Sequence, residues 1–169
     1  MTVNLAYNVT DPNVGFSLTA EHAGLKCYLA DTGLLLSLAF ADNPETRKDA
    51  MWKVLTGKLE LNKGMLMENA VAHMFRATGR ELYFHKVNDR EDESNRIEIE
   101  FLLSKSRLTA RHNVVPVEVK SSRDYTTTSL DRFKAKFPGY CAERIVLHPG
   151  TADFSGGITY LPLYMAPCL

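Results

Sequence analysis

Alternation of apolar and polar side chains is clearest in the second half of the chain. Val114 to Ser121 reads V-V-P-V-E-V-K-S, a short run rich in β-branched residues that predicts a strand buried on at least one face. Side chains two apart share a strand face. Val115, Val117 and Val119 therefore point one way, and Pro116, Glu118 and Lys120 the other. Ile97 to Leu103 alternates likewise, with Ile97, Ile99 and Phe101 on one face and Glu98 and Glu100 on the other. If these two strands pair as antiparallel neighbours with their acidic faces on one side, Glu98, Glu100, Glu118 and Lys120 converge. The simpler alternative is an edge strand, which tolerates Pro116 and carries Glu118 and Lys120 as a solvated ion pair.

Helical periodicity is strongest from Asn62 to Phe75. At 100° per residue the sector centred near Glu68 also carries Met67, Val71, Ala72 and Phe75, while Asn69, His73 and Arg76 fall on the other side. A carboxylate on a buried face costs several kcal/mol unless a cation or a strong donor meets it. The helix dipole would favour a first-turn Glu but does not account for its face. Elsewhere the pattern predicts a strand at Gly24 to Ala30 and a helix through Leu34 to Phe40 capped by Asp31 or Thr32. A helix follows over Arg47 to Leu59, then a strand at Glu81 to Lys86 and a charged loop from Val87 to Asn95. The last elements are a helix from Ser129 to Phe137 capped by Thr128 or Ser129, and strands at Arg144 to His148 and Ile158 to Leu163 around a Gly-rich turn. Residues 1–23, broken by Asp11-Pro12-Asn13, read as a loosely structured lead-in to one α/β domain over 24–169.

Composition narrows the function classes. A chain of 169 residues, 45% hydrophobic, is enough for one ordinary core. Its formal net charge is zero, so any hold on nucleic acid must come from a local patch. The candidates are Lys105, Arg107 and Arg111 in the link between the two acidic strands, together with Arg123, Arg132, Lys134 and Lys136. Cys27, Cys141 and Cys168 share no C-x-x-C spacing, which argues against a disulfide framework or a zinc site and for a reducing cytoplasm. The longest apolar stretch, Thr32 to Ala41, is too short to span a bilayer. Thr56-Gly57-Lys58-Leu59 lacks the rest of a phosphate loop, so ATP is not an expected ligand.

Four acids and one lysine aimed at one partly buried spot cannot all stay ionised unless a cation joins them. Oxygen-only ligation selects Mg²⁺ or Mn²⁺. Such an ion polarises a phosphoryl oxygen and activates a water, with Lys120 holding that water or offsetting transition-state charge.

A helix glutamate, a strand ending in an acid and E-x-K on the next strand resemble the PD-(D/E)XK, or restriction-endonuclease-like, nuclease superfamily. The chain also resembles, nearly end to end, the uncharacterised domain that follows the ATPase module in many bacterial and archaeal AAA-type ATPases. The matching stretches are L-A-D-T-G-L-L from Leu29, N-K-G-M-L-M-E-N from Asn62, E-L-Y-F from Glu81 and E-I-E-F-L from Glu98. P-V-E-V-K-S from Pro116, S-L-D-R-F from Ser129 and Y-L-P-L-Y-M from Tyr160 complete the set. The resemblance implies a restriction-endonuclease-like mixed β-sheet flanked by helices. It also implies Glu68, Glu100, Glu118 and the Val119 carbonyl as metal ligands, and Lys120 as the catalytic lysine. DNA, or alternatively RNA, is the implied substrate, with an ATPase module in cis in the relatives. Glu100 departs from the Asp of the family pattern by one methylene, and a metal shifted by about 1 Å can cost ~10²-fold in rate. The competing expectation is therefore an inactive nucleic-acid- or partner-binding module that regulates an ATPase.

Overall fold

The computed structural model describes residues 3–12, 15–39, 41, 48–49, 52–53, 56, 63–88, 92, 95–105, 112–122 and 124–169. In chain order the elements are β1 (Val3–Val9), β2 (Ala20–Leu29), helix α1 (Thr32–Ala39), helix α2 (Lys63–Ala77), β3 (Leu82–Val87), β4 (Ile97–Ile99) and β5 (Phe101–Ser104). They continue with β6 (Val114–Val119), helix α3 (Thr128–Lys136), β7 (Ile145–His148), β8 (Asp153–Ser155) and β9 (Ile158–Pro162). Short 3-10 turns cover Phe16–Leu18 and Leu163–Cys168.

The strands form two mixed sheets, ordered β2-β1-β3-β4 and β5-β6-β7-β9-β8. In the first, β1 pairs antiparallel with β2 and parallel with β3. In the second, β6 lies between an antiparallel β5 and a parallel β7. One face of this arrangement takes α2, whose Val71, Ala72 and Phe75 pack with Leu82, Phe101, Val115, Val117 and Leu147. The other face takes α3, whose Leu130 and Phe133 pack with Ile99, Leu102, Val114 and Val146. With helices on both faces, β6 is buried at all six positions, as an internal strand covered on both sides should be. The α/β mixed-sheet class expected from the sequence is the one observed, divided into two sheets. No helix among the described residues is long and apolar enough to cross a membrane.

Five local expectations need correction. The edge-strand alternative for Val114 to Ser121 fails, because β6 is internal and Pro116 stands opposite Leu102 within the sheet. The lead-in is not loose: β1 occupies Val3–Val9 and β2 begins at Ala20. Its signal was masked because pairing with β2 and β3, rather than strict alternation, holds it in place. Ile97 to Leu103 is two strands, broken at Glu100. Ile97 and Ile99 lie in the α3-side core, whereas Phe101 lies in the α2-side core. One residue inserted without a ladder position swaps the faces that follow, as a bulge does.

Asn69 was expected on the polar side of α2 and is 2% exposed. Its amide accepts from Leu29 N at 2.8 Å and donates to Leu29 O at 3.0 Å and to Thr32 Oγ1 at 3.2 Å, tying the helix to the end of β2. The helix thus buries a wider arc than one apolar stripe, and a fully bonded amide makes that arc tolerable. Finally, α3 starts one residue early, with Thr127 at the cap position and no side-chain cap bond. Asp31 does cap α1, accepting from Leu34 N at 3.0 Å. Most of the helix expected over Arg47 to Leu59 lies outside the described residues, as does most of the Val87 to Asn95 loop.

Candidate functional site

The pairing register decides which acids meet. Phe101 stands opposite Val117 and Leu103 opposite Val115. Carried one step further, that register sets Glu100 opposite Glu118, at the open end where β4 turns away into the other sheet. Parallel pairing of Val119 with Leu147 continues through the bond from Lys120 N to Leu147 O, 2.8 Å. The same end of β6 receives the first turn of α2, where a Cβ at Gly64 would stand 3.8 Å from Ser121 Oγ. Strand ends at the carboxyl side, met by a helix N-terminus, are where α/β folds expose chemistry.

Glu118 is 1% exposed, and among the described residues its Oε2 has no partner but the Lys120 ammonium, 2.7 Å away. Burial raises its carboxyl above the usual range, against the pull of Lys120. The Leu130 backbone amide, in the first turn of α3, also favours the charged form. Glu100 goes further. Burial first, and the neighbouring Glu118 carboxylate second, push it up to about 7, with Lys120 opposing and Glu68 adding a smaller push. Glu100 Oε2 is buried without a hydrogen-bond partner among the described residues. Two carboxyls facing each other with one buried oxygen unsatisfied is what an acidic site short of positive charge looks like.

Glu68 is turned elsewhere. Its Oε1 accepts from Tyr28 OH at 2.6 Å and from Lys26 Nζ at 3.0 Å, both on β2. Glu98 is about half exposed and paired with Lys86 Nζ at 3.0 Å, so it stands apart from Glu100 and Glu118. Among the described residues no three His, Cys, Asp or Glu side chains are assembled to hold a metal ion. The acids nonetheless suit a hard cation in kind. Glu100 and Glu118 offer buried carboxylate oxygens with little or no protein partner, and Glu68 is near enough to weigh on Glu100.

The basic candidates among the described residues do not gather. Lys105 follows the far end of β5, ~16 Å along the strand from Glu100, and pairs with Glu143 at 3.0 Å. Arg132 donates to Arg96 O at 2.9 Å, Lys134 and Lys136 are exposed on α3, and Arg107, Arg111 and Arg123 lie outside the described residues. An open groove of about 650 Å³ lies at that same far end, between Phe16, Arg80, Tyr83 and Ser104, away from the acids.

Sequence reasoning missed two groups here. Lys26 and Tyr28 share the inward face of β2, but nothing in the local pattern links them to a glutamate 40 residues on. Tyr125 was the other: its OH donates to His148 Nδ1 at 3.0 Å, while His148 Nε2 donates to Thr151 O at 3.1 Å. His148 follows Leu147 and so stands beside Lys120 in the parallel register.

A family model described as a domain of unknown function, DUF4143, matches residues 63–166, from the start of α2 to the final 3-10 turn. The matched segment includes Glu68, Glu100, Glu118 and Lys120 and leaves out Lys26 and Tyr28. No curated protein and no solved structure matches the chain.

Proposed function

The chain belongs to the DUF4143 domain family, and from that premise we propose that the acidic end of β6 is a divalent-cation-dependent phosphodiesterase site acting on DNA. The observation that supports this reading most directly is the opposition of Glu100 and Glu118 beside Lys120, with a carboxyl pushed up to about 7 and a buried oxygen that no described residue meets with a hydrogen bond. Glu100 and Glu118, with Glu68 after a change of rotamer and the Val119 carbonyl, would hold Mg²⁺ or Mn²⁺. Bound there, the ion would supply charge to a phosphoryl oxygen and lower the pKa of a water. Lys120 supplies an ammonium beside Glu118, able to orient a nucleophile or neutralise developing charge. Exposed Lys134 and Lys136 would contact the phosphate backbone without reading sequence.

The test is cleavage of supercoiled plasmid and single-stranded DNA with Mg²⁺ or Mn²⁺. Activity that disappears in Glu118→Ala and Lys120→Ala, both still folded by circular dichroism, is the expected result. Intact substrates with either ion would end the proposal.

A second reading is favoured by a specific observation, the engagement of Glu68 by Lys26 and Tyr28 and of Lys120 by Glu118. In that reading the domain binds nucleic acid, DNA or RNA, or a protein partner without turnover, and regulates an AAA-type ATPase module carried in cis by relatives. It predicts salt-sensitive retention of DNA or RNA in a gel-shift assay with no product. Absence of retention at low salt would remove it.

A further inference from the structure

Lys26 occupies an unusual position for a strand lysine. Its Nζ is 3.0 Å from Glu68 Oε1 and 3.7 Å from Glu98 Oε1, and it stands 5.2 Å from the centre of the Phe84 ring. One ammonium is thus shared by two carboxylates, with an aromatic face below it. The side chain is about a quarter exposed, and its four-carbon stem leaves it free to move. We infer that Lys26 is a displaceable counter-ion of the acidic site: a divalent cation entering beside Glu68, Glu100 and Glu118 competes with the Lys26 ammonium for Glu68, and the ammonium moves over to Glu98. The inference rests on the divalent-cation reading above and adds to it a residue outside the segment that the family model matches.

The physical reason is charge. An ammonium and a divalent ion on the same carboxylate repel over a few ångströms in a partly buried setting, where screening is weak. Both cannot hold Glu68 at full strength. Glu98, half exposed and already met by Lys86 at 3.0 Å, is a second carboxylate within reach at 3.7 Å that can share two ammonium groups, and the Phe84 ring keeps the Lys26 ammonium close while it moves. Tyr28 has the opposite part. It is 6% exposed and donates to the same Glu68 oxygen at 2.6 Å. As a neutral donor it steadies the carboxylate without competing for positive charge, so it is a positioning residue.

Calorimetric titration of MnCl₂ into the full chain tests this, using wild type, Lys26→Met, Glu98→Gln and the double variant, with Glu118→Ala as the site control. Lys26→Met tightens the Kd for Mn²⁺ about tenfold. Glu98→Gln weakens it severalfold, and that weakening shrinks once Lys26 is gone, because Glu98 then has only Lys86 to hold and no displaced ammonium to receive. A purely structural lysine would not give that coupling. Should Lys26→Met fail to fold, Lys26→Gln removes the charge while keeping a donor for Glu68, and the same tightening is expected. An unchanged or weaker Kd in the Lys26 variants, with binding still lost in Glu118→Ala, overturns the counter-ion role and leaves the cation site standing. No Mn²⁺ binding by wild type, or equal binding by Glu118→Ala, overturns both.

Discussion

Glu118 with Lys120 and Glu68 with Lys26 are chemically the same pair, separated by 2.7 Å and 3.0 Å, yet they are built in opposite ways. Glu118 lies on an internal strand and Lys120 one residue past its end, where the Lys120 N to Leu147 O bond continues the ladder, so their meeting is a local property that persists as long as β6 does. Glu68 and Lys26 come from a helix and from β2, and they meet only because α2 docks across that sheet. The first carboxylate is almost fully buried and the second about a quarter exposed. A buried pair is strongly coupled because each partner is the other's principal solvent, while an exposed one is weakened by water and salt. The comparison therefore separates a fixed pair from a movable one.

The largest effect is expected at the fixed pair. Lys120→Met leaves Glu118 buried without a cation, and urea unfolding at pH 7 should show a loss of about 3 kcal/mol. Lys120→Met in a Glu118→Gln background should recover most of it. A full-size loss in that background would mean that Lys120 matters for packing rather than charge.

Glu100 sharpens the same contrast through pH. Its folded carboxyl lies at about 7 against an ordinary 4.5, so the folded state holds a proton that the unfolded chain has already released. Stability from this group is fully present below about pH 4.5 and is lost as pH rises to about 7. Glu100→Gln should accordingly stabilise the protein by up to ~3 kcal/mol at pH 8, and by almost nothing at pH 4. Equal stabilisation at both pH values would show that charge is not the cause.

At the movable pair the expected effects are smaller. Tyr28→Phe removes a buried hydroxyl that donates to Glu68 and should cost about 1–2 kcal/mol by thermal or urea unfolding. Lys26→Met should change stability by less than ~1 kcal/mol, with the difference fading in 0.5 M salt. A loss at Lys26 as large as that at Lys120 would erase the distinction between the two pairs.

What the sequence determined by itself was set by short-range geometry. Alternation over Val114 to Lys120 put Glu118 and Lys120 on one face, and that relation survives because a strand's period of two does not depend on its neighbours. The buried sector of α2, the Asp31 cap and the α/β class followed from equally local rules. Only the tertiary structure decided that β6 is internal, that the Ile97 to Leu103 strand breaks at Glu100 and turns its faces over, and that Asn69 is buried. It also decided that Glu68 belongs to Lys26 and Tyr28 in this conformation. Each of these depends on which surface another element presents, for Glu68 and Asn69 across about 40 residues of intervening chain, and no periodicity in a single segment encodes that.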